Sequence, residues 1–183
     1  MRTSAITSMT VEEYLAFEEQ SEVRHEYFDG KLYEMAGTTD YHNEICLQIA
    51  FLLKQLLKKQ GFKVYKENVR LHIEDKKYTY PDVFATCDER DTHSRRIKNF
   101  PTIIVEVLSN VTRVYDKTDK FILYQKIPTL KYYLTIEPEK PLVECYCLQD
   151  DGSWMVETFT HSFETIILSH LNITISMQEI YED

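Results

Sequence analysis

The sequence is poor in the residues that build linkers, fibres and disulfide scaffolds. Its 183 residues include 4 glycines, 5 prolines and 4 cysteines, too few for a linker-rich, collagen-like or disulfide-stapled protein. No apolar run approaches the ~20 residues that a membrane-spanning helix needs. Hydrophobic residues still make up 43% of the chain, enough for a sizeable core. We therefore expect a soluble, reduced, cytoplasmic protein without membrane contact, folded as a single domain over residues 1–183.

Basic residues are almost missing from the end of the chain. The formal net charge is -9, which counts against strong non-specific nucleic-acid binding because such binding depends on phosphate neutralisation. The charge is segregated, however. Residues 54–136 hold 17 basic and 10 acidic side chains, whereas residues 137–183 hold 1 basic and 10 acidic side chains. Two interpretations stay open: a mixed, solvated surface, or a positive site with acidic rims.

Apolar periodicity and turn residues indicate alternating helices and strands. Capping-box spacing between Thr10 and Glu13 predicts a short helix, and Asp29-Gly30 predicts a hairpin turn. The predicted helices cover residues 11–20, 42–59 and 116–126, with a weak one near 177–181. The predicted strands cover residues 62–66, 68–73, 80–86, 102–108, 131–137, 142–148 and 153–159.

This order of elements predicts an α/β or mixed α+β fold, in which helices flank a central mixed β-sheet. The core of the domain is expected over about residues 10–137. A C-terminal strand meander is expected over residues 138–183, and its acidic, aromatic-containing surface is a candidate for homodimer formation.

Two carboxylates stand where apolar residues are expected. Glu106 interrupts the apolar run 103–108, and a buried ionised acid needs a partner. Asp82 follows Pro81 and opens another apolar strand 24 residues earlier. Neighbouring strands would bring both acids to one end of a sheet, and a set of hard oxygen ligands suits magnesium or manganese. The alternatives are an edge strand with Glu106 in solvent, and an ordinary Pro-Asp turn.

The next helix adds a cation. Asp116, Lys120 and Tyr124 are four residues apart and share a helix face, with Lys117 one turn before Lys120. A lysine beside metal-binding acids can stabilise charge on a phosphoryl group. The alternative is an ordinary Asp116–Lys120 surface pair. His42 opens the long helix, where we expect a capping histidine more than a site residue.

These segments together resemble the Uma family, a bacterial and especially cyanobacterial family of restriction-endonuclease-like proteins in the PD-(D/E)xK nuclease superfamily. The similarity runs from about Thr10 to about Glu137. The segments that carry it are Met9 to Leu15, His25 to Met35 with His42, Tyr80-Pro81-Asp82, Val105 to Ser109, Tyr115-Asp116 with Lys120 and Tyr124, and Ile127 to Tyr133.

The resemblance implies a restriction-endonuclease-like core and a set of site residues. It implies Asp82 and Glu106 as metal-binding acids, the carbonyl of Val107 as a main-chain ligand, and Glu26 as an upstream acid that joins the site. The superfamily's usual lysine lies two residues after the strand acid, and that position here is Leu108. We therefore assign the catalytic lysine to the following helix, to Lys120, with Lys117 as the runner-up.

The leading hypothesis is an endonuclease that hydrolyses DNA phosphodiester bonds with Mg²⁺ or Mn²⁺, using Asp82, Glu106, Lys120 and Glu26. The displaced lysine and the acidic surface motivate a rival: a catalytically degraded nuclease-like fold that binds nucleic acid or protein. A third option is a metal-dependent hydrolase of small phosphoesters.

Overall fold

A computed structural model describes residues 6–35 and 37–182 of the chain. The strands are β1 (Ile6–Thr7), β2 (His25–Phe28), β3 (Lys31–Glu34), β4 (Lys63–Lys66), β5 (Arg70–His72), β6 (Lys77–Thr79), β7 (Val83–Thr86), β8 (Ile97–Lys98), β9 (Ile103–Val107), β10 (Tyr132–Ile136), β11 (Val143–Leu148), β12 (Trp154–Phe159), β13 (Thr165–Leu168) and β14 (Ile173–Ser176).

The α-helices are α1 (Val11–Gln20), α2 (Asp40–Leu57), α3 (Arg113–Tyr115), α4 (Phe121–Tyr124) and α5 (Met177–Tyr181). Short 3₁₀ turns lie at Lys58–Gln60, Glu89–Thr92 and Ser169–Leu171, and a π-helical turn at Asp116–Lys120 joins α3 to α4. Among the described helices, none has both the length and the apolar character that crossing a membrane demands.

Within the described residues, the strands form two six-stranded sheets and a separate hairpin. The first sheet has the order β1-β3-β2-β6-β5-β8, and the second has the order β12-β11-β10-β9-β7-β4. Both are mixed: β5 and β8 are parallel in the first, β9 and β10 are parallel in the second, and the other neighbours are antiparallel. The prediction of a mixed sheet flanked by helices is confirmed, although the chain builds two sheets rather than one.

The capping box and the hairpin turn predicted near the start of the chain are both confirmed. The Thr10 hydroxyl accepts from the Glu13 amide, and the Glu13 carboxylate accepts in turn from the Thr10 amide, so the capping box starts α1. Asp29 and Gly30 both have positive φ, 49° and 91°, as a two-residue hairpin turn requires between β2 and β3.

The second sheet is covered on both faces, and this decides the environment of β9. All five residues of β9 are buried. Ile103, Val105 and Val107 contact the core that α2 covers. Ile104 faces the opposite side, in a cluster with Tyr124 and Tyr133. Because strand side chains alternate between faces, Glu106 shares the side of Ile104, beneath the turn that leads into α4.

The two strands predicted over residues 62–73 separate into different sheets. β4 pairs with β7 in the second sheet, whereas β5 pairs with β6 and β8 in the first. The chain changes sheet at Glu67, which has a φ of 45°. Glutamate is not among the residues that usually mark a turn. The alternation of apolar and polar residues over 62–73 therefore gave no indication that the chain changes sheet there.

Two further elements differ from the sequence prediction. The helix predicted over residues 116–126 begins at Arg113, contains the π-helical turn, and ends before Pro128. The antiparallel hairpin of β13 and β14 was not predicted, and its apolar face joins the core beneath α2. The weak helix near the end of the chain is confirmed as α5, which begins with a capping box at Ser176.

Leu53 and Leu47 lie on the same helix in opposite environments, so they make a matched stability test. Leu53 is fully buried against the second sheet, whereas Leu47 is 52% exposed. Leu53→Ala should lower the free energy of unfolding by about 2–5 kcal/mol through lost burial and a residual cavity. Leu47→Ala should change it by less than about 0.5 kcal/mol. Denaturant unfolding measures both, and equal losses would contradict the assigned orientation of α2.

Candidate functional site

A cluster of acids and one lysine lies where the two sheets meet. Glu26 comes from β2 of the first sheet, whereas Glu106 comes from β9 of the second sheet and Asp82 directly precedes β7 of that sheet. Glu26 is fully buried, Glu106 is 2% exposed and Asp82 is 9% exposed. Their proximity therefore depends on the contact between sheets as well as on strand pairing.

The antiparallel pairing of β7 with β9 brings Asp82 to Glu106. Val83 is opposite Val105 in this register, so Asp82, immediately before β7, lies at the edge of the sheet where Glu106 and Val107 end β9. The Val107 amide donates a hydrogen bond of 2.7 Å to Asp82 Oδ2. This bond holds one oxygen of Asp82 in place at the point where β9 leaves the sheet.

Lys120 is the cation at the centre of the cluster. Its Nζ lies 2.8 Å from Glu106 Oε1, 3.4 Å from Glu26 Oε1 and 3.4 Å from Asp116 Oδ1. Burial lowers the pKa of the ammonium, but the facing charges of Glu106 and Glu26 outweigh it and raise the pKa well above its usual value. Lys120 is therefore charged, and it links both sheets to the helix.

Glu106 is the acid most strongly affected by this environment. Burial raises the pKa of Glu106 well above its usual range, and the charges of Asp82 and Asp116 add to the increase while Lys120 opposes it. The Tyr124 hydroxyl donates to Glu106 Oε1 at 2.8 Å. Lys120 and Tyr124 thus both contact one oxygen of the carboxylate.

The π-helical turn brings a further acid into the cluster. Asp116 and Lys120 are its first and last residues, and both side chains are buried. Asp116 Oδ1 is shielded from solvent and accepts no hydrogen bond from the described residues, and burial raises the pKa of this carboxyl. Single π turns recur at functional sites because they re-aim side chains within a helix.

His42 and Cys46 approach Asp82 from α2. His42 Nε2 lies 3.4 Å from Asp82 Oδ2, and Cys46 Sγ lies 3.5 Å from His42 Nδ1. Burial lowers the pKa of His42, but the hydrogen bond and charge of Asp82, with a hydrogen bond to the Val107 main chain, raise it overall. His42, Cys46 and Asp82 are all buried and offer ligand atoms within 4.8 Å of one another.

The charges of the cluster fit a divalent cation. In the described part of the chain, four buried carboxylates face one ammonium and one histidine, and the acids are Glu26, Asp82, Glu106 and Asp116. Burying unbalanced carboxylates is costly, and a cation among them removes that cost. The oxygens of Asp82, Glu106 and Val107 are the hard ligands that magnesium and manganese take. The imidazole and thiol of His42 and Cys46 extend the donor set toward softer metals.

A surface cavity of about 480 Å³ reaches the cluster at His42. Its lining includes Leu108 and Ser109, which directly follow β9, and Arg113 of α3. Arg113 forms an ion pair with Glu137 on the same wall. The cavity therefore opens to solvent beside His42 and just beyond the end of β9.

The structure brings the predicted site residues together. Glu26, Asp82, Glu106 and Lys120 share the cluster described above, with the Val107 main chain beside them. Lys117, the runner-up lysine, instead pairs with Glu144 of β11 at 2.8 Å.

Two alternative interpretations are wrong. Glu106 does not lie on an edge strand, because β9 has neighbours on both sides. Asp116 and Lys120 form a buried pair and not a surface pair.

The capping interpretation of His42 is also wrong. Thr39 is the N-cap of α2, and its hydroxyl accepts from the His42 amide, so the imidazole is free to face Asp82. Cys46 was missed, although its spacing of four from His42 on an apolar helix stripe is a readable signal. Burial of Asp116 had no sequence signal, because a helical Asp-Lys pair is typical of a solvated surface.

The overall fold is that of a nuclease-like protein of the restriction-endonuclease class. The structure superimposes with a TM-score of 0.78 on a crystal structure described as a "putative nuclease belonging to DUF820" from Anabaena variabilis ATCC 29413. The match covers 94% of this chain and 97% of that one at 18% sequence identity, so it concerns the fold.

Sequence comparison then gives the family. The Uma2 model, described as "Putative restriction endonuclease", matches residues 11–178, and the chain belongs to this family. An uncharacterized protein of Synechocystis sp. (strain ATCC 27184 / PCC 6803 / Kazusa) is 33% identical, with 94% of this chain and 91% of that protein covered. A second from the same strain is 32% identical, with 81% and 85% covered. Restriction-endonuclease-like proteins generally depend on a divalent metal.

The two lysines of the π-helical turn should differ sharply in their effect on stability. Lys120→Met leaves three buried carboxylates without their cation, and should lower the free energy of unfolding by about 3–5 kcal/mol near neutral pH. Lys117→Met removes a partly exposed ion pair, and should cost less than about 1 kcal/mol. Chemical denaturation measures both variants, and similar losses would show that Lys120 is not the neutralising charge of the cluster.

Proposed function

We propose that this protein is an endonuclease that hydrolyses DNA phosphodiester bonds with the help of Mg²⁺ or Mn²⁺. The observation that supports this most directly is the excess of buried carboxylates over cations among the described residues where β9 ends, with a cavity beside His42 and Leu108. Membership of the Uma2 family supports the same reaction class. A protein that acts on DNA is consistent with our expectation of a cytoplasmic location.

Each side chain has a separate task in this proposal. Asp82 and Glu106, with the Val107 carbonyl and Glu26, would hold the cation, which supplies Lewis-acid chemistry at a phosphoryl oxygen. The Val107 amide orients Asp82, and Tyr124 orients Glu106.

Lys120 has the central role among these residues. It keeps an ammonium fixed within hydrogen-bond reach of Glu106, where it can stabilise charge that develops on the phosphoryl group. Because Glu106, Glu26 and Asp116 all lie within 3.4 Å of its ammonium, Lys120 would already be in position when substrate arrives.

Cleavage assays test the proposal directly. Supercoiled plasmid and labelled single- and double-stranded oligonucleotides are incubated with Mg²⁺, Mn²⁺ or chelator. The wild type should cut only with metal, and Asp82→Asn and Glu106→Gln should each lose at least about 100-fold in rate because both change a cation ligand. Lys117→Met is the matched control and should retain cleavage. Cutting that persists in both acid variants would reject the assigned site.

Metal binding should depend on pH through Glu106. Because the pKa of Glu106 is raised, its protonated form competes with the cation at higher pH than an ordinary carboxyl does. Apparent Mg²⁺ affinity should therefore fall as the pH falls through that raised pKa, with protons released on binding. Calorimetry in two buffers of different protonation enthalpy measures the release. Glu106→Gln should abolish this proton release, and an unchanged release in that variant would contradict the assignment.

The acidic surface supports a second candidate function. With a net charge of -9, the protein is poorly suited to unassisted DNA binding, as expected of a nuclease-like fold retained as a binding module. In that case Mg²⁺ and Mn²⁺ should not bind, and Asp82→Asn should leave biological activity intact. Metal binding without cleavage would instead indicate an intact site that lacks its substrate.

A homodimer would supply a second active site for cutting both strands of a duplex. We include this as part of the proposal, with the C-terminal strands as the candidate surface. Light scattering at increasing protein concentration tests it, and a monomeric mass throughout would reject it.

A further inference from the structure

Arg70 is a buried cation that the acid cluster does not use. It lies on β5 of the first sheet and is 5% exposed. Its guanidinium donates no hydrogen bond to any described residue, and Nη1 is shielded from solvent without a partner. The contact that the structure provides is with the ring of Tyr14, 5.7 Å from the guanidinium carbon. The donors on Nη1 are buried without an acceptor, which is costly for a charged group, so an acceptor is missing from this position.

The missing acceptor has a place to bind. Arg70 lines a small cavity of about 200 Å³ together with Arg24, Arg96, Asn68 and Tyr80, and with Glu18 and Glu19. The side chains of Arg24 and Arg96 are 37% and 67% exposed, so they lie toward its opening. The cavity thus combines a buried guanidinium with two more exposed ones, of which Arg24 lies 4.0 Å from Glu18 and Arg96 lies 3.0 Å from Glu19.

The carboxylates of the cavity do not satisfy Arg70. Glu18 accepts from the His25 amide, the His25 ring and the Tyr80 hydroxyl, at 3.1, 3.0 and 2.9 Å. Glu19 pairs with Arg96 at 3.0 Å. Three guanidinium groups face two carboxylates here, which leaves a local positive charge in an acidic protein. A planar guanidinium fork suits bidentate recognition of a phosphoryl group.

The cavity also borders the acid cluster. The Tyr80 hydroxyl contacts Glu18 on the cavity side, while the Tyr80 amide contacts Glu26 Oε1 at 3.5 Å on the side of the acids. Arg24 lies two residues before Glu26, about 7 Å along an extended chain. Successive nucleotides of one DNA strand rise about 3.4 Å each, so this separation corresponds to about two nucleotide steps.

We propose that Arg70, Arg24 and Arg96 form an oxyanion site that holds a backbone phosphate of a nucleic-acid strand. The phosphodiester bond to be cut would be a neighbouring bond of the same strand, placed at the acid cluster. This inference rests on the proposed function for the identity of the ligand. The recognised chemistry is a phosphoryl oxyanion, which inorganic phosphate shares with a phosphodiester.

Inorganic phosphate is the first probe, and it is titrated in chelator so that the metal site plays no part. Calorimetry should detect saturable binding to the wild type, weakened at least tenfold by Arg70→Gln. Because Arg70 is buried and its variant could misfold, Arg96→Ala serves as an exposed second variant and should weaken binding as well. Arg90→Ala is the matched control, since Arg90 is exposed and committed to Asp88, and should bind phosphate as the wild type does.

Competition with DNA then identifies the source of the phosphate. A short single-stranded oligonucleotide with 5′-hydroxyl ends carries only backbone phosphates, and it should displace inorganic phosphate from the wild type in chelator. Absence of phosphate binding, or equal weakening in Arg90→Ala, would overturn the site. Phosphate binding that the oligonucleotide leaves unchanged would overturn its assignment to a nucleic-acid backbone.

The same titration with Asp82→Asn separates this inference from the proposed function. Phosphate binding should persist in that variant, because Asp82 lies outside the cavity. Loss of cleavage with intact phosphate binding would count against the nuclease alone, whereas loss of phosphate binding in Asp82→Asn would count against an independent anion site.

Discussion

The ion pair between Glu106 and Lys120 is the interaction on which the site depends. Both groups are almost fully buried and lie 2.8 Å apart, so neither could remain charged there without the other. The pair imposes demands on several elements at once. A central strand must present an acid on one face, and the helix that follows must widen into a π turn to direct a lysine toward it. A β-sheet covered on both faces excludes the water that would otherwise weaken the pair.

The pair alone does not balance the surrounding charge. Lys120 also faces Glu26 and Asp116, and Asp82 lies beside Glu106 with the His42 ring 3.4 Å away. Such an arrangement is consistent with the proposed cation site, because a site that binds a cation keeps carboxylate charge that the protein itself does not neutralise. The buried oxygen of Asp116 that accepts no hydrogen bond belongs to the same pattern.

Charge segregation along the chain has a structural meaning in this fold. The basic middle segment contributes Lys120 to the acid cluster, and it contributes Arg70 and Arg96 to the small cavity on the other side of Tyr80. The acidic C-terminal segment instead extends the second sheet through β11 and β12. The negative net charge of the whole chain therefore does not describe its local sites, some of which are basic. For this reason net charge says more about association than about fold.

Short-range signals in the chain predict the local elements and the main acids. The capping box of α1, the Asp29-Gly30 turn and the acid within an apolar strand are short-range signals, and each follows from backbone geometry or from the cost of burying charge. Long-range packing instead buries Lys120 beside Glu106 while Lys117 pairs with Glu144. It also turns His42 toward Asp82 and leaves Arg70 Nη1 without an acceptor among the described residues. These outcomes depend on the contact between the two sheets and on the π turn. Both arise from packing between residues far apart in the chain, and such packing leaves no periodic pattern in the sequence.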